Sequence, residues 1–362
     1  MHVPDGFINA PVSAAAGLVA AGAVAVGLRG ARRELDDRTA PLAGLVAAFI
    51  FAVQMLNFPV AAGTSGHLLG GALAAILVGP WTGVLCIAVV LLMQGILFAD
   101  GGLTALGVNI TVMGGVTVLV AYGLFRGLVT VLPRGRRSVT VASFVAALVS
   151  VPASAAAFTL IYAVGGTSDV PVGKVLAAML GVHTLIGVGE AAITTATVGA
   201  VIAVRPDLVY GARGLSTPLK LRVGGELIDA APAAPAPAPG AARSTRTVWA
   251  AGLAAALVLA GFVSFYASAS PDGLEKVAAD YGIDKKAEEH ATAASPLADY
   301  GVEDITDARL SGGLAGTIGV GATLAAGTGV FWAASRRRGR QAARAAQDPA
   351  GDARTPLTKE TV

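Results

Sequence analysis

Nine mainly apolar stretches, most of them long enough to cross a bilayer as a helix, constrain this chain more than any other feature. A transmembrane helix needs about 20 such residues. The stretches run at about 10–28, 41–57, 66–79, 82–98, 105–125, 139–164, 175–204, 247–267 and 313–334. The third is short, opening at Thr64-Ser65-Gly66 and closing at Gly79-Pro80. It reads as a span with an irregular outer end, which lipid tolerates only where protein or water covers the backbone. None of the nine resembles a soluble strand pattern. Charged residues are 14% of the 362, against about 25% in soluble domains, too few to clothe several water-facing domains. Disorder needs low hydrophobicity and high charge, and one cysteine, Cys86, rules out a disulfide scaffold. The expected fold is therefore all-α: a polytopic membrane helical bundle of a seven-helix module plus a two-helix hairpin.

Basic residues orient the bundle. With the N-terminus outside and nine alternating spans, 21 of the 26 Lys and Arg residues fall on the inner side, among them Arg29, Arg126, Arg205 and Arg336. The opposite topology leaves five there, so the N-terminus is expected outside and the C-terminus inside. MHVPDGFIN carries no basic cluster and no A-x-A site follows, so no removable signal peptide is expected. The outer segment 268–312 holds ten acidic and four basic residues, a formal charge of −6. It either concentrates cations by long-range attraction or is a solvated loop. AAPAAPAPAPGAA, at 230–242, favours extended polyproline II and acts as a spacer. Four parts follow: a membrane module at 1–210, a cytoplasmic Pro/Ala-rich linker at 211–246, a two-helix module with an acidic outer loop at 247–334, and a basic, disordered tail at 335–362.

Four histidines, His2, His67, His183 and His290, stand in a chain poor in polar side chains. On the expected topology His2 and His67 share the outer end of the seven-helix module. Initiator methionine is removed only ahead of a small residue, so Met1 is expected to remain before His2. The Met1 amine, the His2 amide nitrogen and the His2 Nδ1 can then chelate one ion through a five-membered and a six-membered ring. His67 can supply a fourth nitrogen. Nitrogens in or near a plane suit Ni(II) and Cu(II), whereas structural zinc prefers a tetrahedron. An ionised amide lowers the charge to be buried. With Thr64 and Ser65 as caps, His67 is expected in the first turn of its helix, where the dipole disfavours imidazolium. From spacing alone a second reading stands beside this one: an exposed terminal histidine and an interfacial helix-start histidine.

Three segments tip the balance: MHVPDGFINAPVS at the start, GTSGHLLGGALAAILVGPWTG at 63–83, and LLMQGILFADGGLTALGVNITVMG at 91–114. Together they resemble the CbiM/NikM family, the substrate-capturing components of energy-coupling-factor transporters for cobalt and nickel, from Met1 to about residue 210. The resemblance implies an N-terminus inserted into the bundle, with Met1, His2 and His67 as metal ligands. SPDGLEKVAADYG, at 270–282, matches the "PDGLE" motif of the small companion subunit, CbiN/NikN-like, across about 247–334. That part is implied to support metal loading, and no ligands are assigned to it. Within the matched motifs Ser65, Gln94, Asp100, Asn109 and Thr111 are candidates to accept the other ring N–H of a ligating histidine, with Ser65 and Asn109 preferred. His183 and Glu190 lie near one face of the seventh helix, either as a functional pair or as a structural hydrogen bond between helices. His290 is expected to be solvated, and Cys86 and Met93 to be core packing.

No G-x-x-x-x-G-K-[ST] sequence is present. The resemblance implies a separate transmembrane coupling protein and a cytoplasmic ATPase pair, in the inner cell membrane, with no resident cofactor and no nucleic acid. Gly123-x-x-x-Gly127 suits close packing within the chain or against that coupling protein. The leading expectation is ATP-dependent import of Co(II) or Ni(II), cobalt favoured for cobalamin synthesis, although Irving–Williams order ranks nickel higher. An autonomous secondary transporter or channel lacks a visible intramembrane carboxylate pathway. A membrane metalloenzyme lacks a base near His67.

Overall fold

The computed structural model describes residues 1–35, 39–61, 63–213, 220–223, 226–229 and 245–347. Helices occupy the apolar stretches: α1 (Ala10–Glu34), α2 (Ala40–Gln54), α3 (Gly71–Val78) and α4 (Pro80–Leu97). A continuous run of α5 (Leu106–Asn109), a π-helical turn (Ile110–Val116) and α6 (Thr117–Val131) follows, then α7 (Arg136–Gly165) and α8 (Val172–Val204). The second module supplies α9 (Thr245–Gly261), α10 (Gly273–Tyr281) and α11 (Ala308–Gln347). Two short antiparallel hairpins, β1 (Phe58–Pro59) with β2 (Ser65–Gly66) and β3 (Lys220–Val223) with β4 (Glu226–Asp229), are the strands among the described residues. Seven helical runs are long and apolar enough to cross a membrane, and α2 is a shorter apolar helix of 15 residues. The chain is a polytopic helical bundle.

The third apolar stretch has the irregular outer end that its sequence suggests. Only Gly71–Val78 is helical, about 12 Å at 1.5 Å per residue against a hydrocarbon core of about 30 Å. From Ser65 to Gly70 the backbone is non-helical and fully buried, and Gly70 turns it into α3 at φ +85°, where a Cβ would be strained. His67 therefore sits in a non-helical segment rather than a first helical turn, and neither Thr64 nor Ser65 caps α3. A helix-dipole effect on His67 is not available.

A non-helical segment at membrane depth must have its backbone groups satisfied, and two intramembrane side chains do this. From α8, Glu190 accepts from Leu69 N at 2.5 Å and Gly70 N at 3.0 Å. From α2, Gln54 Nε2 donates to Leu69 O at 2.9 Å. Glu190 thus plays a structural part, tying α8 to the non-helical segment rather than to another helix. His183 is not its partner: His183 Nδ1 meets Met179 O at 2.8 Å within α8. Cys86 is buried core, as expected.

The second module packs into the first. α11 runs along α2, with α9 against both. Gly44 permits the approach, since a Cβ there would lie 2.3 Å from Thr328 Oγ1, a use of small residues typical of membrane helices. Gly123 and Gly127 meet no atom within 4 Å of where a Cβ would be, so neither packs within the described chain. The linker contains β3 and β4, while its Pro/Ala run at 230–242 lies outside the described residues. The tail is helical at its start: α11 continues to Gln347, because the Ala-, Arg- and Gln-rich RRRGRQAARAAQ is a strong helix former. Residues 348–362 lie outside the described residues.

Glu190→Ala strands two buried N–H donors at about 1–3 kcal/mol each. Thermal unfolding of the detergent-purified protein should show a loss of about 2–6 kcal/mol, with Glu190→Gln, which keeps one acceptor oxygen, losing less.

Candidate metal centre

The first nine residues run into the bundle before α1 begins. Asn9 caps α1, its side chain accepting from Val12 N at 3.1 Å, and its own N–H donates to Gly165 O at 2.7 Å. Thr167 Oγ1 donates to Gly6 O at 2.7 Å. Asp5 accepts from Thr104 N at 2.7 Å and from the Thr104 hydroxyl. Val3 N donates to Asn109 Oδ1 at 2.8 Å, and Asn109 Nδ2 returns a bond to Val3 O at 3.1 Å. The loop 98–105 comes close because it carries glycine: a Cβ on Gly102 would lie 2.2 Å from Asp5 N. Met1 ends this thread 2% exposed, its sulfur 3.6 Å from Ser154 Oγ.

The amino group lies 2.6 Å from His67 Nε2 and donates to Asp272 Oδ2 at 2.6 Å. His67 Nε2 and Asp272 Oδ2 are 3.5 Å apart. The rings of His2 and His67 stack, with centroids 5.1 Å apart at 15°. His67 Nδ1 lies 3.0 Å from Leu68 O. A proton on Nδ1 serves that carbonyl and leaves the Nε2 lone pair facing the amine. The His2 ring meets two oxygens, Gln94 Oε1 at 3.1 Å from Nε2 and Asp100 Oδ1 at 3.2 Å from Nδ1. Burial pushes its pKa down to about 4, against the pull of Asp100, so near neutral pH the ring carries one N–H for two acceptors. With that proton donated to Gln94, Nδ1 points a lone pair at a carboxylate. A cation on Nδ1 relieves that repulsion.

Ser65 and Asn109 touch the site without bonding either ring. Asn109 clamps the Val3 backbone, while Ser65 holds the second module: its Oγ donates to Ser270 O at 2.7 Å and its N–H to Pro271 O at 2.8 Å. The ring contacts of His2 fall instead to Gln94 and Asp100. Thr111 Oγ1 is buried with no hydrogen-bond partner among the described residues. His290 Nε2 lies 3.2 Å from Gly101 O, and its Nδ1 accepts from Thr292 N at 3.1 Å. It pins the outer segment to the 98–105 loop rather than pointing into solvent.

Asp272 is the residue that sequence reasoning passed over. It opens α10 with a capping box: Oδ1 accepts from Leu274 N and Glu275 N at 2.7 and 2.9 Å, and Glu275 Oε2 accepts from Asp272 N at 2.8 Å. One oxygen caps the helix and the other reaches Met1. Burial works to raise its pKa, but the amino terminus and His67 outweigh it and hold the carboxyl well below the usual range. His2, His67 and Asp272 each offer a ligand atom within 4.8 Å of the others. The D-x-x-E cap is legible in PDGLE, but its meeting with a residue 271 positions away is not. A second strut is Tyr300, whose hydroxyl donates to Asp100 Oδ2 at 2.6 Å.

Both modules have known relatives. Residues 2–208 match CbiM, the "Cobalt uptake substrate-specific transmembrane region", and residues 246–336 match the PDGLE domain. The cobalt transport protein CbiM of Sorangium cellulosum is 33% identical over 219 residues, 58% of this chain and 94% of that protein. The fused nickel transport protein NikMN of Rhodobacter capsulatus is 42% identical over 126 residues, 34% of this chain and 36% of that one. A truncated transition metal transporter of known crystal structure aligns with TM-score 0.50 and 26% identity, over 56% of this chain and 99% of that one.

With His2 Nδ1 on the ion, Gln94→Ala removes the acceptor of the other ring N–H, and such partners of ligating histidines are worth about 10–100-fold in metal affinity. Competition titration of the purified chain with a chromogenic chelator should show a loss in that range.

Proposed function

This chain belongs to the CbiM family and carries a PDGLE domain behind the family region, and from that premise we propose that it captures a divalent cobalt or nickel ion at the outer face of the membrane for ATP-driven import. The reading is carried by one observation: the Met1 amine lies inside an apolar bundle, 2.6 Å from His67 Nε2, with the His2 ring stacked beside it. A terminal amine, two imidazoles and an ionisable amide form a nitrogen set for a late first-row ion.

The roles divide by residue. Met1 supplies the amine, His2 its amide nitrogen and Nδ1, and His67 its Nε2. Gln94 orients the His2 ring through Nε2, Asp100 faces the Nδ1 that takes the ion, and Asn109 and Asp5 hold the thread that places it. Before metal arrives, Asp272 neutralises the terminal ammonium. The amine must lose its proton to bind, and Asp272 is then freed to act as an oxygen ligand or to balance the ion's charge. Acid weakens capture because the amine and the amide must shed protons and the imidazoles must be neutral to bind.

The Lys and Arg bias supports an N-terminus outside, the family resemblance supports a bacterial inner membrane, and the modules run at 1–210 and 247–334. Energy comes from a separate transmembrane coupling protein and a cytoplasmic ATPase pair, since the chain carries no phosphate-binding loop sequence. Cobalt is the cargo the family description favours. Nickel is a second reading favoured by the planar nitrogen set and by the R. capsulatus relative, whose fused arrangement is named a nickel transport protein. Competition between the two ions on the purified chain decides it.

One residue added before Met1 moves the amine away from His67 and turns it into an amide, and His2→Ala removes the chelating ring. Uptake of radioactive cobalt or nickel by cells expressing the full transporter should fall to background in both. Normal uptake by either variant would defeat the proposal.

A further inference from the structure

Beside His2 and His67 lies a cavity of about 600 Å³, walled by both modules. Its lining grades from buried to exposed. His67, Asp272 and Gln54 are buried, Asp100 is partly exposed, and Glu288 and Asp299 are exposed. Six carboxylates line it against one guanidinium, that of Arg309. The two exposed carboxylates are held at the cavity through their backbones: Glu288 N donates to Asp5 O at 3.0 Å and Asp299 N to Phe98 O at 2.9 Å. Neither side chain has an ion-pair partner among the described residues.

Gln54 gives an independent sign that the space takes a ligand. It is 4% exposed and lines the cavity. Its amide nitrogen is committed to Leu69 O, while its Oε1 is buried with no hydrogen-bond partner among the described residues. A buried carbonyl oxygen left unpaired costs about 1–3 kcal/mol, so a group that satisfies it is favoured there.

We infer that this cavity is a second, outer binding site for a hydrated divalent cation, formed by Gln54 and Asp100 of the first module with Glu288 and Asp299 of the second. Its donors are hard oxygens, which suit an ion that keeps much of its water, whereas Met1, His2 and His67 offer nitrogens to a stripped ion. Six waters at about 30 Å³ each occupy roughly 180 Å³, so a hydrated ion fits. The negative lining raises the local cation concentration and the rate of capture without contributing to the tight site. The direction of travel, from exposed carboxylates to buried nitrogens, rests on the capture reading above. The oxygen site itself does not.

The test uses the purified full chain and two probes. Mn(II), an oxygen-preferring ion, is titrated into the His2→Ala protein and followed by electron paramagnetic resonance. Bound Mn(II) is expected, with affinity falling about tenfold or more when Glu288→Gln and Asp299→Asn are added. Stopped-flow mixing of Co(II) with the Glu288→Gln/Asp299→Asn protein, His2 intact, should show association slowed about tenfold at low ionic strength, with the final affinity unchanged. The absence of bound Mn(II) in the His2→Ala protein, or an unchanged Co(II) association rate, overturns the inference. Tight Co(II) binding by His2→Ala would instead defeat the capture reading, and the Mn(II) comparison would still report on the cavity.

Discussion

A terminal ammonium buried in an apolar bundle costs several kcal/mol unless it is paired, and the end of the bundle that holds Met1 is arranged around that pairing. Met1 N meets Asp272 Oδ2 and His67 Nε2 at 2.6 Å each. To bring it there, the chain threads residues 1–9 through the helices, held by Asp5, Asn109, Thr167 and Asn9. The thread fits only because Gly101 and Gly102 lack side chains where it passes. To bring His67 there, the third apolar segment gives up helical geometry, and Glu190 and Gln54 satisfy the exposed backbone. Two intramembrane polar residues thus serve the position of a third.

The second module completes this arrangement rather than standing apart. Asp272 places one oxygen on the helix it caps and the other on Met1. Tyr300 holds Asp100, which holds His2. Three residues along this seam, Ala99, Asp299 and Tyr300, adopt left-handed φ angles of 55°, 52° and 56°, a geometry that disfavours side chains carrying a Cβ. Such strain persists where surrounding bonds enforce it, here the bonds from Phe98 O to Asp299 N and from Tyr300 to Asp100. Fusion in one chain keeps both halves of the seam at equal number.

Much of the fold was legible in the sequence because hydropathy reports directly on spans, and the helices fall close to the apolar stretches. The irregular outer end of the third stretch was legible from its shortness, but its extent was not: Gly70 and the acceptor on Glu190 carry the non-helical backbone past His67, which was expected in a first helical turn. The loop 268–312 read as a charge total, whereas two of its residues make particular contacts with the first module: the Asp272 carboxylate meets the Met1 amine, and the Asp299 N–H donates to Phe98 O. Met1, His2 and His67 were singled out by chelation chemistry together with the family resemblance, and the structure brings the amine and the two rings together. Asp272 was not, since a capping box predicts only its first oxygen's partner. Ser65 and Asn109 lie at the centre in other roles than expected, holding backbones rather than rings, a distinction that spacing does not carry.

The central claim is that the buried amino terminus is the metal-binding element. Anomalous diffraction from crystals of the cobalt-loaded full chain, collected at the cobalt edge, tests it most directly. The strongest peak should lie at bonding distance from the Met1 amine, His67 Nε2 and the His2 ring. A strongest peak elsewhere, with Met1 N still paired to Asp272, would contradict the account.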